Sequence, residues 1–252
     1  MAINVALYGP GARRWTMTER GRTALHRDAT RFTVGPSALA WDGTSLTIDI
    51  DEIAVPIPQR VRGRIRLHPD ALNQRAFAID RAGLHRWMPL APSGRVEVAL
   101  SHPAIRWSGH GYFDTNAGDE PFARAFRVWD WSRAELPEGT ATLYDTVGRD
   151  GARVSLATLF DRQGGSRDFE PPPRLDLPRT LWRVGRRTQS EDATTTRVVR
   201  TLEDTPFYAR SVIETRLLGR QAVAMHESLS VDRFDTAWVR ALLPWRMPRR
   251  FF

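Results

Sequence analysis

Two pairs of side chains in this sequence share the same i, i+2 spacing: His85 with Trp87, and Tyr112 with Asp114. Each pair sits in a stretch that reads as β-strand. Side chains of a strand alternate faces with a period of two, so both members of a pair look the same way. The second pair belongs to the run Trp107-Ser-Gly-His-Gly-Tyr-Phe-Asp-Thr-Asn-Ala-Gly-Asp-Glu-Pro121. There His110, Tyr112 and Asp114 point to one side, and Trp107 and Phe113 to the other. An imidazole, an indole, a phenol and a carboxyl that face a common space suit proton chemistry on an apolar substrate. Gly109 and Gly111 flank His110 and allow a bulge that would re-aim it.

The elements that must position these groups are strands nearly throughout. Leu46-Thr-Ile-Asp-Ile-Asp-Glu-Ile53 and Val61-Arg-Gly-Arg-Ile-Arg-Leu67 alternate apolar and polar residues strictly. Arg95 to Leu100 and Arg197 to Leu202 do so less strictly. Turn signals separate them at Asp42-Gly43, Pro92-Ser-Gly94, Pro137-Glu-Gly139, Arg149-Asp-Gly151 and Gln163-Gly-Gly165. This spacing predicts an all-β chain of sandwiches or barrels. One boundary falls after the chemical strand, dividing residues 1–118 from 119–252. The Pro-rich piece Phe169 to Pro178 reads as an extended connection between strands. One helix is predicted from Asp235 to Leu243, capped by Asp235 and stopped by Pro244. Ile3 to Tyr8 reads as the middle of a strand with nothing before it to pair, which predicts a chain short of part of its first domain.

Composition narrows the chemistry. The formal charge is +8, and all of the Lys/Arg total is Arg. Acids are interspersed with the arginines, so no block reads as a nucleic-acid arm, and attraction to an anionic membrane surface is the better use of the charge. With no Cys, disulfides, thiolate nucleophiles and cysteine metal sites are excluded. The N-terminus has no signal-peptide pattern, and no run approaches the roughly 20 apolar residues that span a bilayer. Asp114, Asp119 and Glu120 lack the alternating ligands of a calcium loop. Tyr8-Gly-Pro-Gly11 is a tight turn, since no Lys-Ser/Thr follows it.

Several stretches together resemble the carotenoid 1,2-hydratase (hydroxyneurosporene synthase) family. They are Asn4 to Trp15, Met17-Thr-Glu-Arg-Gly21, Ile48-Asp-Ile-Asp-Glu52, Gly109 to Pro121, Trp129-Asp-Trp-Ser-Arg133, Leu202 to Arg210 and His226-Glu-Ser-Leu-Ser230. The resemblance implies two lipocalin-related β domains, a sandwich-like and truncated N-terminal one and a C-terminal barrel. It implies acid-catalysed addition of water to the terminal double bond of an acyclic carotene, with no cofactor and no metal. It places the family's functional residues on His85, Trp87, Tyr112 and Asp114. A carboxyl desolvated against aromatics holds its proton more tightly, which suits Asp114 as the proton donor. The Trp87 ring suits a cation, Tyr112 suits positioning of the carboxyl or water, and His85 suits proton return. His110, Tyr208 and His226 are further candidates for lining the substrate site. The alternative is a polyene-binding protein or cyclase of the same fold.

The tail Ala237 to Phe252 mixes Trp, Phe and Arg and has no acid. Such a mixture fits peripheral contact with a membrane interface, which a lipid-confined substrate requires, and it fits packing against the barrel equally well.

Overall fold

The computed structural model describes residues 1–250; Phe251 and Phe252 of the C-terminal tail lie outside the described residues. The chain divides into two compact units. Unit 1 comprises Met1–Asp70, Gly94–Tyr112 and Ala241–Phe252, and unit 2 comprises Ala71–Ser93 and Phe113–Arg240. The division therefore runs through strands instead of falling at a single point after residue 118.

Unit 1 is an antiparallel meander. Its strands are β1 (Leu25–Arg27), β2 (Arg31–Val34), β3 (Ser37–Trp41), β4 (Leu46–Ile53) and β5 (Arg60–Pro69). Two long strands follow, β6 (His85–His102) and β7 (Ala104–Gly118), and the order across the sheet is the order in the chain. The alternation legible in β4 and β5 is realised in register, with Leu46 opposite Leu67 and Asp49 opposite Arg64. One face buries Leu46, Ile50, Val61 and Leu67. On the other, Arg64 and Arg60 form two-pronged ion pairs with Asp49 and Asp51.

The strict pattern breaks at Glu52, which is buried. Its carboxylate takes two hydrogen bonds from the Arg20 guanidinium, at 3.1 and 2.7 Å, and one from the Ser37 hydroxyl at 2.7 Å. Gly35, at φ +59, leaves room for Arg20, since a Cβ there would lie 2.5 Å from Nε. The stretches Met17–Gly21 and Ile48–Glu52 thus form a buried charge pair, which needs such full satisfaction to persist. Asn4–Leu7 is paired, as a hairpin with Arg14–Met17, because Gly9 and Gly11 both take the positive φ of a tight turn.

Unit 2 is built on β8 (Phe126–Leu136), β9 (Gly139–Gly148), β10 (Arg153–Phe160) and β11 (Ser166–Asp168). After a hairpin of β12 (Arg174–Leu177) and β13 (Arg186–Gln189) come β14 (Arg197–Asp204), β15 (Tyr208–Leu217) and β16 (Arg220–Ser230). The seven-stranded antiparallel order is β11-β10-β9-β8-β16-β15-β14. The expected barrel is corrected on one point: no ladder joins β11 to β14 among the described residues, so hydrogen bonding does not close the sheet. The β12–β13 hairpin instead lies within the Pro-rich and following stretch, and its Leu177 packs with Ala134, Leu143, Leu159, Ile213 and Ala224 on one face of the sheet.

The helix also differs from expectation. Val231–Phe234 forms a short α1, in which the Ser230 hydroxyl accepts from the Arg233 N–H, and Asp235 is its C-cap. The longer α2 runs Ala237–Arg246 and passes through Pro244. Proline removes its own N–H bond and crowds the carbonyl one turn back, yet the helix continues past it, with Met247 N–H bonded to Leu243 O at 2.7 Å.

Towards one end of the Leu177 face, unit 2 buries polar groups. Ser228 donates to Asp130 Oδ1 at 2.5 Å, and His226 Nε2 lies 3.1 Å from the Ser228 hydroxyl. Burial pushes the Asp130 carboxyl up to about 7, against opposing bonds from Ser228 and the Arg187 N–H, with the Asp145 charge adding to the rise. Burial, with the Arg186 charge, lowers His226 to about 3. Unfolded Asp titrates near 3.9 and unfolded His near 6.5. From about pH 4 to about 7 the folded chain holds a proton on Asp130 that the unfolded chain has released, so stability falls as pH rises. From about pH 6.5 down to about 3 the unfolded chain binds a proton that folded His226 refuses, so stability falls as pH drops. The two slopes oppose each other in between. His226→Gln should expose the first trend and Asp130→Asn the second, each on the order of 2–4 kcal/mol across its range. Urea melts between pH 4 and 7 measure this, and slopes unchanged from the parent chain in both variants would disprove it.

Candidate functional site

The opposite face of the unit 2 sheet is aromatic. Phe77, Ile79 and Trp87 pack there with Phe126, Tyr144, Phe160, Leu229 and Val231. Trp87 is fully buried. Its ring centroid lies 5.2 Å from Phe77 and 5.2 Å from Tyr144. Phe77 reaches it because Phe77–Ala78 adds a two-residue strand to β6, with Phe77 opposite Trp87. From this apolar seat the Trp87 indole donates Nε1–H to Asp114 Oδ2 at 2.7 Å. The distance is that of a strong bond to a carboxyl oxygen. Asp114 itself is half-buried, near the end of β7.

His85 is buried two residues before Trp87. Its Nε2 lies 3.1 Å from the Glu120 carbonyl and its Nδ1 3.4 Å from Asp80 Oδ2. The ring also meets Phe126 edge-on at 4.8 Å. Gly118 makes room for it, since a Cβ there would come within 2.6 Å of His85 Cδ2. The Nε2 partner lies in the exit loop of β7 and the Nδ1 partner just before β6, so His85 ties that exit loop to the start of β6.

Asn116 follows Asp114 at the same period-two spacing and shares its side of β7. The buried Tyr144 donates its hydroxyl to Asn116 Oδ1 at 3.2 Å. Burial holds the Tyr144 phenol well above its ordinary range, and the charges of Asp114 and Glu227 push the same way. Tyr144 arrives through strand register: it lies opposite Trp131, which lies opposite Glu227, which lies opposite Arg210. Arg210 pairs with Glu227 at 2.7 Å and donates Nε–H to the Tyr208 hydroxyl at 3.0 Å.

The candidates from sequence separate accordingly. Trp87 and Asp114 touch, and His85 braces their strands. Tyr208 shares the aromatic face, opposite Leu229. His226 takes the other face of β16, bonded to Ser228 as described, because its register partner is Ser211 and not a residue of the Tyr208 face. Tyr112 is half-buried and His110 exposed, and both are the last part of the unit 1 segment that ends at Tyr112. Gly111, between them, packs on Leu67 and Val96, where a Cβ would come within 2.4 Å of Leu67 Cδ1. Tyr144 and Asn116 were missed in the sequence. Asn116 had a signal, the same period that links Tyr112 to Asp114; Tyr144 had none, because only strand pairing brings it here. No cluster of three or more His, Cys, Asp or Glu able to hold a metal occurs among the described residues.

The family profile described as carotenoid hydratase CrtC matches residues 1–252. The chain belongs to that family. It is 58% identical over 249 residues to an acyclic carotenoid 1,2-hydratase of Thiocapsa roseopersicina, a match covering 98% of this chain and 62% of that protein. It is 51% identical over 251 residues to the acyclic carotenoid 1,2-hydratase of Rubrivivax gelatinosus, covering 99% and 62%. A third such protein, from Cereibacter sphaeroides, is 40% identical over 249 residues, covering 98% and 88%. The chain thus spans about three-fifths of the length of the first two relatives. In fold it is similar to CghA, crystallised with Sch210972, at 9% identity and a TM-score of 0.50, covering 91% of this chain and 74% of that one. This likeness bears on the fold alone, and it agrees with the lipocalin-like reading.

The Trp87–Asp114 bond is open to a double-mutant cycle. Trp87→Phe keeps a ring in the aromatic seat and removes the donor, leaving a half-buried carboxyl oxygen short of a bond, at a cost of about 1–3 kcal/mol. Asp114→Ala removes the acceptor. The double variant should be more stable than the sum of the single losses predicts, by on the order of 1 kcal/mol. Strictly additive urea midpoints would show that the two side chains are not coupled.

Proposed function

We propose that the protein adds water to the terminal carbon–carbon double bond of an acyclic carotenoid such as neurosporene or lycopene, giving a tertiary 1-hydroxy product. The observation that carries this reading is the Asp114 carboxyl held by the Trp87 indole beside a buried aromatic cluster. Because the indole N–H is spent on Oδ2, the transferable proton sits on Oδ1. Asp114 passes that proton to the less substituted alkene carbon. The pair of π electrons forms the new C–H bond and leaves a tertiary cation. The Trp87 ring adjoins Asp114 and the Tyr144 ring adjoins Trp87, and an aromatic face stabilises a cation by roughly 0.5–2 kcal/mol. Water then adds to the cation, and the proton it sheds returns to the Asp114 carboxylate. The sum is alkene plus water, with no change of oxidation state, so the scheme needs no cofactor. His85 serves as the positioning residue that keeps β7 in place, and Tyr112 acts on the Asp114 side of that strand.

The substrate dissolves in lipid, so the same reading includes peripheral membrane contact. Its support lies on unit 2 and on α2. Leu181 is 97% exposed and Trp182 is 46% exposed, and Trp182 stacks on Trp238 at 6.1 Å. Trp238, Leu242 and Trp245 follow one another at helical spacing along α2 and all are exposed. The exposed Arg179, Arg183 and Arg240 flank this apolar stripe. Aromatic and leucine side chains beside arginines are the composition of a helix lying in an anionic membrane surface. No helix among the described residues is long and apolar enough to cross a membrane.

Two experiments follow. Incubation with lycopene in detergent should yield a product heavier by one water, and Asp114→Asn should cut its rate by at least about 100-fold while leaving the urea midpoint nearly unchanged. An Asp114→Asn variant that keeps a tenth of the parent rate would move the donor elsewhere. In co-sedimentation with phosphatidylglycerol/phosphatidylcholine vesicles, Trp182→Ser with Trp238→Ser should abolish most binding. Equal sedimentation of parent and variant would remove this surface from the reading.

A further inference from the structure

The reaction proposed above uses the Tyr144 ring but leaves its oriented hydroxyl without a role. Tyr144 is buried, its ring is 5.2 Å from that of Trp87, and its hydroxyl proton is directed to Asn116 Oδ1 at 3.2 Å. Asn116 stands two residues beyond Asp114 on the same side of β7, at a Cα separation of roughly 6.6 Å. Proton donor and phenol oxygen therefore meet neighbouring positions on one side of β7. The two carbons of an alkene that receive the proton and the water are adjacent, so both groups must address a space only a few ångström wide. We propose that Tyr144, with its hydroxyl aimed by Asn116, positions the attacking water and so decides whether the cation made by Asp114 is captured or reverts to alkene. This inference rests on the hydratase reading.

The chemistry follows from where the protons are. With its own hydrogen committed to Asn116, the phenol oxygen offers its lone pairs, and a water bound there donates one hydrogen to Tyr144. That leaves a water lone pair to face the cationic carbon. The phenol does not take the proton, because burial and the nearby Asp114 and Glu227 charges keep it neutral. As the C–O bond forms, the oxonium proton goes to the Asp114 carboxylate, which restores the acid. Without a placed water, the cation has one ready exit: a C–H bond next to it breaks, its electrons re-form the double bond, and the proton returns to Asp114. Protonation then still occurs, but it is futile.

This partition is measurable. In D2O, each futile cycle leaves deuterium in recovered lycopene, whereas capture gives deuterated alcohol. In the parent chain, hydration should dominate over exchange. Tyr144→Phe should lower the hydration rate by about 10- to 100-fold, the penalty of a misplaced reactant. Its KM should stay within about twofold, and the ratio of deuterium exchange to hydration should rise by at least about tenfold. Asn116→Leu, which releases the phenol proton, should shift the ratio the same way by a smaller factor. Asp114→Asn should lose exchange and hydration together. If Tyr144→Phe and Asn116→Leu both lose exchange and hydration in equal proportion, Tyr144 only packs against Trp87 and the inference is overturned. An unchanged ratio at the parent rate overturns it as well. A parent chain that shows neither hydration nor exchange defeats the hydratase reading itself, and this inference with it.

Discussion

A carboxyl that is to protonate an unactivated alkene has to be held in one orientation next to apolar surface, where water cannot take its place. In the proposed reaction the indole N–H of Trp87 would provide that hold, 2.7 Å from Asp114 Oδ2. The bond makes demands on everything near it. Trp87 must be immobile, so Phe77 and Tyr144 clamp its ring. Phe77 must be brought over, so a two-residue strand is added to β6. Strand β7 must not slide, so His85 reaches from β6 to the Glu120 carbonyl, over a glycine at 118 that leaves space for the ring.

The unit 2 sheet treats its two faces differently, and the difference is chemical. On one side, Ala134, Leu143, Ile213 and Leu177 form an aliphatic core that gives way to a buried polar chain of Asp130, Ser228 and His226. There the environment favours a neutral carboxyl and a neutral imidazole, the cheaper way to bury both groups. On the other side, bulky aromatics surround Trp87, and Asp114, the Tyr144–Asn116 pair and the Arg210–Glu227 pair set polar atoms beside them. An aromatic wall with a few aimed polar atoms is the general form of a site for an apolar ligand. The stretch Trp129-Asp-Trp131 serves both sides at once: Asp130 points into the polar chain while its neighbours pack on the aromatic face.

The buried Arg20–Glu52 pair shows the same economy in unit 1. Two of the stretches that resemble the family, around residues 17–21 and 48–52, are accounted for by this one contact and need no role in catalysis. The residues of these stretches are thus divided by the structure into those that build the sheets and those that pack at the aromatic cluster.

The sequence by itself determined the class of the fold and half of the site. Strict alternation in β4 and β5 specifies which face is buried, because a one-residue slip would turn Leu46, Ile50 and Leu67 outward. Period two likewise announced that His85 and Trp87, and Tyr112 and Asp114, look the same way, and it would have yielded Asn116 had it been carried one step further. What local pattern does not contain is pairing between distant strands. Only the register of β8 with β9 and β16 brings Tyr144, Trp131 and Glu227 together, and only that register turns His226 away from Tyr208. The open edges of the unit 2 sheet and the passage of α2 through Pro244 were also tertiary outcomes, since a hairpin packed on one face and a helix end with a spare bond are set by neighbours that no short window of sequence includes. The sequence could name an acid and an indole; that the one holds the other is a consequence of where β6 and β7 come to lie.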